Sequence, residues 1–116
     1  MREFKVVFPS GFVIDNSIND NIDAYIALSN DKVYTITFFT INNIELLMKG
    51  SNNFWASDMV ILRYLTKEII IECIESLLQN DYFENAASYV GTIADILVPI
   101  SKYDDLPDFN ESIRLC

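Results

Sequence analysis

Two runs of alternating apolar and polar residues dominate the first third of the chain. "IDAYIALS" (22–29) puts Ile22, Ala24, Ile26 and Leu28 on one face. "KVYTITFFT" (32–40) puts Tyr34, Ile36 and Phe38 on one face and Val33, Thr35, Thr37 and Phe39 on the other. Period-two alternation predicts strands. Asn30 and Asp31 tolerate the left-handed conformations of a tight turn, so the two strands are expected to form a hairpin. Apolar groups on both faces of the second run predict a central strand. Residues 3–8, "EFKVVF", read as a first strand closed by Pro9 and Gly11, and "IDNSINDNID" (14–23) as a polar loop.

The period then changes. Thr40 is an expected N-cap for a short helix, "INNIELLMKG", which Gly50 ends where left-handed geometry is needed. Ile44, Leu47 and Met48 are expected to share its buried face, with Glu45 and Lys49 as an i,i+4 pair on the wet side. A loop at 51–57 precedes another strand, "DMVILRYL" (58–65). Thr66 caps the longest predicted helix, roughly 67–80. Its buried stripe is Ile70, Cys73, Ile74, Leu77 and Leu78, and Glu68, Glu72, Glu75 and Gln79 face outward. "DYFENAASYVG" reads as a further helix capped by Asp81, with Gly91 near its end; "TIADILVPIS" continues it or forms a strand, stopped by Pro99. The order predicts an α+β fold: a mostly antiparallel sheet of about four strands with two or three helices packed on one face.

At 116 residues the chain fits a single domain, 1–116, with an irregular acidic tail from about 101. The opening "MREFKVVFPSGF" has charges where a secretory signal needs an apolar run, and no stretch approaches the roughly 20 apolar residues of a membrane span. A cytoplasmic protein is expected. Two cysteines, Cys73 and Cys116, make no disulfide framework, and Cys73 reads as a buried inert thiol.

Charge changes the picture most. Seventeen acidic residues against eight basic ones give −9 with no histidine. Such a surface repels nucleic acid and anionic membranes, and attracts a basic protein. Without histidine there is no Ser-His-Asp or Cys-His system and no typical zinc site. The three glycines stand too far apart for a phosphate loop. Residues 15–26 fail as a calcium loop, having Asp20 at the glycine position and Ile26 where a bidentate Glu belongs. Asp104, Asp105 and Asp108 read as a solvated acidic tail. No cofactor, metal or catalytic residue is assigned, and the chain is expected not to be an enzyme.

"FWASDMVILRYLTKEIIIECIESLLQNDYFE" (54–84) resembles a pattern of small bacterial immunity proteins that accompany contact-dependent growth-inhibition and polymorphic toxins. The shared features are an aromatic-Trp-Ala-Ser-Asp step, a short apolar strand, and a Leu-Thr-capped helix with "LL" near its end. Upstream, "LSNDKVYTITFFTINNIELLMKG" resembles the hairpin-then-helix segment of such proteins. The likeness covers about 55 of 116 residues. It implies a cytoplasmic protein that binds and neutralises a cognate toxin domain, often a basic nuclease, by steric and electrostatic blocking. The alternatives are a nucleic-acid mimic that inhibits a DNA-binding protein, and a small carboxylate-dependent enzyme.

The partner-facing residues proposed from pattern are Trp55, Asp58, Glu68, Glu72 and Glu75. Trp55 carries two readings, an anchor for a partner or a lid over the core. The expectation is that it caps the sheet–helix seam with its neighbours partly exposed. Asp58 is expected to cap its strand, pair with Arg63, or present a carboxylate to a basic partner.

Overall fold

The computed structural model describes residues 3–8 and 21–110. In chain order the elements are β1 (Phe4–Val7), β2 (Asn21–Leu28), β3 (Lys32–Thr40), α1 (Ile41–Leu47), β4 (Met59–Leu62), α2 (Lys67–Gln79), α3 (Phe83–Ala86), β5 (Ser88–Thr92), α4 (Ile93–Ile96) and β6 (Phe109–Asn110), with a 3-10 turn at Tyr103–Asp105 before β6. This is the expected α+β class. Pro9, Gly11, the loop at 14–20 and Cys116 lie outside the described residues.

The hairpin forms as the alternation requires. β2 and β3 pair antiparallel in the register Ile22↔Phe38, Ala24↔Ile36 and Ile26↔Tyr34. Asp31 turns the corner with φ of 69°, a conformation Asp and Asn tolerate better than most residues. β1 joins the free edge of β2 antiparallel, and the two-residue β6 joins β1 in parallel. The path is β4-β3-β2-β1-β6, with β5 also on β3. β2 occupies one edge of β3. The other edge is therefore shared end to end: β5 pairs antiparallel with Lys32–Thr35 and β4 pairs parallel with Thr37–Thr40. The sheet is mixed and mostly antiparallel.

Two layers cover the sheet. On one face Val6, Ala24, Ile26, Tyr34, Ile36 and Phe38 pack with Ile70 and Ile74 of α2 and Phe83 of α3. Thr66 caps α2 through its hydroxyl, which accepts from the Ile69 amide at 3.2 Å. Ile70 and Ile74 are fully buried, while Glu68, Glu72, Glu75 and Gln79 are exposed, so the predicted stripe and its wet side are both present. Cys73 is half-buried; burial first, and then the Glu72 charge, push its thiol pKa up, which keeps it protonated.

The opposite face is not bare. Val7, Ala27 and Val33 pack there against Ile93, Leu97 and Leu106. The helices are thus not confined to one side, because α4 and the segment that follows it form a second layer. The described part of the tail, 101–110, is correspondingly more regular than its composition suggested. Lys5 explains how it is held: its ammonium donates to the carbonyls of Tyr103 (2.9 Å) and Leu106 (2.8 Å) and lies 4.5 Å from the centre of the Tyr103 ring.

The stretch 81–92 departs from its predicted helix. Asp81 is not a cap; it has φ of 60°, and α3 starts at Phe83 without a side-chain cap and lasts four residues. "SYVGT" then turns into β5. Gly91 has φ of 148°, and a Cβ there would meet Ile96 Cγ1 at 2.9 Å, so glycine permits the close approach of α4. The helix-like spacing of 81–90 is overridden by the open edge of β3, which supplies a ladder for five residues.

Candidate functional site

The chain from 41 to 64 crosses from β3 to the neighbouring parallel β4 by way of α1 and an irregular loop. Thr40 caps α1 as expected, accepting from the Asn43 amide at 3.2 Å, and Gly50 has φ of 84°. The helix stops at Leu47, so Lys49 lies beyond it and Glu45–Lys49 is not a pair within the helix. Its buried residue is not one of the apolar ones. Asn43 points inward and accepts from Asn21 Nδ2 at 2.8 Å, whereas Ile41 (41%), Leu46 (55%) and Leu47 (43%) are exposed. Of the face expected to be buried, Ile44 and Met48 are half-buried and Leu47 is exposed.

Trp55 does not cap the seam. It is 80% exposed. Phe54 does the packing instead, its ring edge-on to Phe39 with centroids 5.3 Å apart. By strand alternation Phe39 points away from the face that α2 covers, so Phe54 and the Trp55 loop belong to the side opposite α2. Ile61 pairs in register with Phe39 and shares its face; it is 48% exposed, and Tyr64 just past β4 is 46% exposed. Ile41, Leu46, Leu47, Trp55, Ile61 and Tyr64 are six of the ten large apolar residues exposed among the described residues. They fall within this one crossover. The outer edge of β4 closes the sheet order, so its backbone has no strand beyond it among the described residues.

The five residues expected to face a partner are therefore divided. Trp55 stands on the crossover. Glu68, Glu72 and Glu75 lie on the outward side of α2 across the sheet. Asp58 is structural: its carboxylate accepts from the Ser88 hydroxyl and its carbonyl from the Thr37 amide at 2.9 Å, with φ of 54°. It joins the ends of β4 and β5 where they meet along β3, a role invisible without knowing that β5 exists.

Charge is divided the same way. Among the described residues every carboxylate side chain except Asp58 is on an exposed residue. Residues 41–64 are neutral overall, Glu45 and Asp58 offsetting Lys49 and Arg63. The acidic excess sits on α2 and the segments after it, from Glu68 through Asp81 and Glu84 to Asp108.

A separate cavity of about 200 Å³ lies between the hairpin turn, the end of α2 and α3, lined by Leu28, Lys32, Tyr34, Asp81, Phe83 and Glu84. The Tyr34 hydroxyl donates to Glu84 Oε1 at 3.0 Å, and burial, then the Glu84 contact, raise its pKa. No group of three metal-ligating side chains converges among the described residues, and no helix there is long and apolar enough to cross a membrane. Comparison with protein-family models, curated proteins and solved structures finds no match to the chain.

Proposed function

We propose that this chain is a cytoplasmic immunity protein that binds a cognate toxin domain and blocks it sterically and electrostatically. The observation that carries the reading is a net charge of −9, with every carboxylate residue but Asp58 exposed among the described residues. A toxin that acts on nucleic acid has to attract phosphates, so its active surface is basic, and an acidic protein competes for that surface. The exposed Trp55 adds the large amphipathic side chain typical of interface anchors. The resemblance of residues 54–84 to immunity proteins supports the same reading.

The test is binding to the product of the adjacent upstream gene, by calorimetry at low and high salt, together with growth rescue on co-expression if that product is toxic. Tight binding that weakens as salt rises supports an acidic inhibitor of a basic toxin. Absence of binding at either salt overturns the reading. Equal inhibition of unrelated DNA-binding proteins would favour a general nucleic-acid mimic instead.

A further inference from the structure

We infer that the cavity between the β2–β3 turn, the end of α2 and α3 binds a small zwitterion, an α-amino acid with an apolar side chain. The inference is independent of the immunity reading and concerns residues outside the Trp55 crossover.

Two segments wall the cavity. The hairpin supplies Lys32 and Tyr34, and the corner from α2 into α3 supplies Asp81, Phe83 and Glu84. Charge is sorted between them, the ammonium on the hairpin side and both carboxylates on the helical side. Among the described residues neither carboxylate forms an ion pair with Lys32, so the opposite charges flank the opening without neutralising each other. A plain cation would meet Lys32 there, and a plain anion would meet Asp81 and Glu84. A ligand that carries both signs suits both sides.

The helical side is fixed in advance. The Tyr34 hydroxyl donates to Glu84 Oε1 at 3.0 Å. The Tyr34 ring is held edge-on to Phe83 and Tyr89, with centroids 5.0 and 5.6 Å away, and the residue is only 5% exposed. The core thus aims the Glu84 carboxylate, which lowers the ordering cost of binding an ammonium. On the other side Asn30 Oδ1 accepts from the Lys32 amide at 3.1 Å and holds the turn, while the flexible lysine stem lets the ammonium follow its anion. Half-buried Leu28 and Leu78 and buried Phe83 supply an apolar wall. The volume of about 200 Å³ is below the roughly 300–1,000 Å³ of sites for drug-sized ligands, which limits the occupant to the size of one amino acid.

Titration of the isotope-labelled chain with leucine, followed through its amide NMR resonances, tests the inference. The expected result is saturable shifts confined to residues 28–34 and 78–84. N-acetyl-leucine lacks the ammonium and leucinamide lacks the carboxylate, and each should bind about 10-fold more weakly. The preference should follow the site. Lys32→Gln should erase the advantage of leucine over leucinamide, and Glu84→Gln, which keeps an oxygen for the Tyr34 hydroxyl, should narrow its advantage over N-acetyl-leucine. Both changes fall on exposed residues, and unshifted resonances away from the cavity show that the fold is kept. Absence of saturable shifts with leucine overturns the inference. Leucinamide binding as tightly as leucine to the unaltered chain also overturns it and makes the cavity a cation site. N-acetyl-leucine binding as tightly as leucine overturns it too, since the carboxylates would then take no part. None of these outcomes touches the immunity reading, which binding of the upstream gene product decides.

Discussion

Phe54 meets Phe39 edge to face, with ring centroids 5.3 Å apart and planes at 70°, and this contact turns its neighbour Trp55 out into solvent. Adjacent residues in an extended loop point in different directions, so only one of the two rings can cover the sheet. Phe54→Ala is expected to destabilise the fold by about 2 kcal/mol, less than a fully buried Phe because the residue is only partly buried. Trp55→Ala should change stability by no more than about 0.5 kcal/mol. Urea unfolding of the two variants checks the pair, and a larger loss from Trp55→Ala would contradict the packing described.

Asp58 combines a left-handed backbone with a side-chain bond to Ser88. Asp58→Asn keeps both the tolerance of positive φ and an oxygen acceptor, and should cost well under 1 kcal/mol. Asp58→Ala removes both and should cost about 2 kcal/mol. Denaturant midpoints separate the two. If Asp58→Asn weakened toxin binding without altering stability, the residue would be a partner contact instead of a strand junction.

Local chemistry was readable where the cause is local. The β2–β3 hairpin follows from alternation and Asn30-Asp31, and both threonine caps follow from a hydroxyl residue before a helical run. The glutamate side of α2 follows from its spacing. What stayed hidden depends on distant partners. The direction of Trp55 follows from the packing of Phe54 on Phe39, fifteen residues before Phe54 and already in the sheet. β5 exists because the outer edge of β3 is open over Lys32–Thr35, and nothing within "SYVGT" reveals that vacancy. Asn43 turns inward because Asn21 waits in the neighbouring strand. The acidity of the tail from about 101 predicts irregular chain, yet Leu106 is buried and Lys5 holds the backbone there.

Lys5 joins the first strand to the last described segment. Lys5→Met keeps much of the aliphatic stem and removes the ammonium that the Tyr103 and Leu106 carbonyls accept from. The expected loss is about 2 kcal/mol, the range for hydrogen bonds to a charged donor. Hydrogen exchange should locate it: amides of 97–106 exchange faster while those of β2 and β3 keep their protection. Uniform loss of protection across the sheet would show that the clamp supports the whole fold and not only the second layer.

Tyr34 supplies a pH dependence whose sign can be worked out. Its pKa in the fold is raised above the ordinary value of 10.0, first by burial and then by the Glu84 contact. A raised folded pKa means that the neutral hydroxyl is the form favoured by folding. The associated stability is complete below pH 10 and is lost as pH rises through the folded value, because the unfolded chain releases its proton first. Cys73, also raised, contributes in the same direction from about pH 9 upward. Tyr34→Phe keeps the ring contact with Phe83, whose centroid lies 5.0 Å away, but has no proton to lose. Its unfolding free energy should therefore fall less steeply between about pH 9.5 and 11 than that of the native chain, while the two curves run parallel between about pH 6 and 8, where the Tyr34 hydroxyl is fully protonated in both the folded and unfolded native chain. Denaturant titrations across that range check this. Identical alkaline slopes would mean that the Tyr34 hydroxyl is free to ionise in the fold, and that the bond to Glu84 does not hold it neutral.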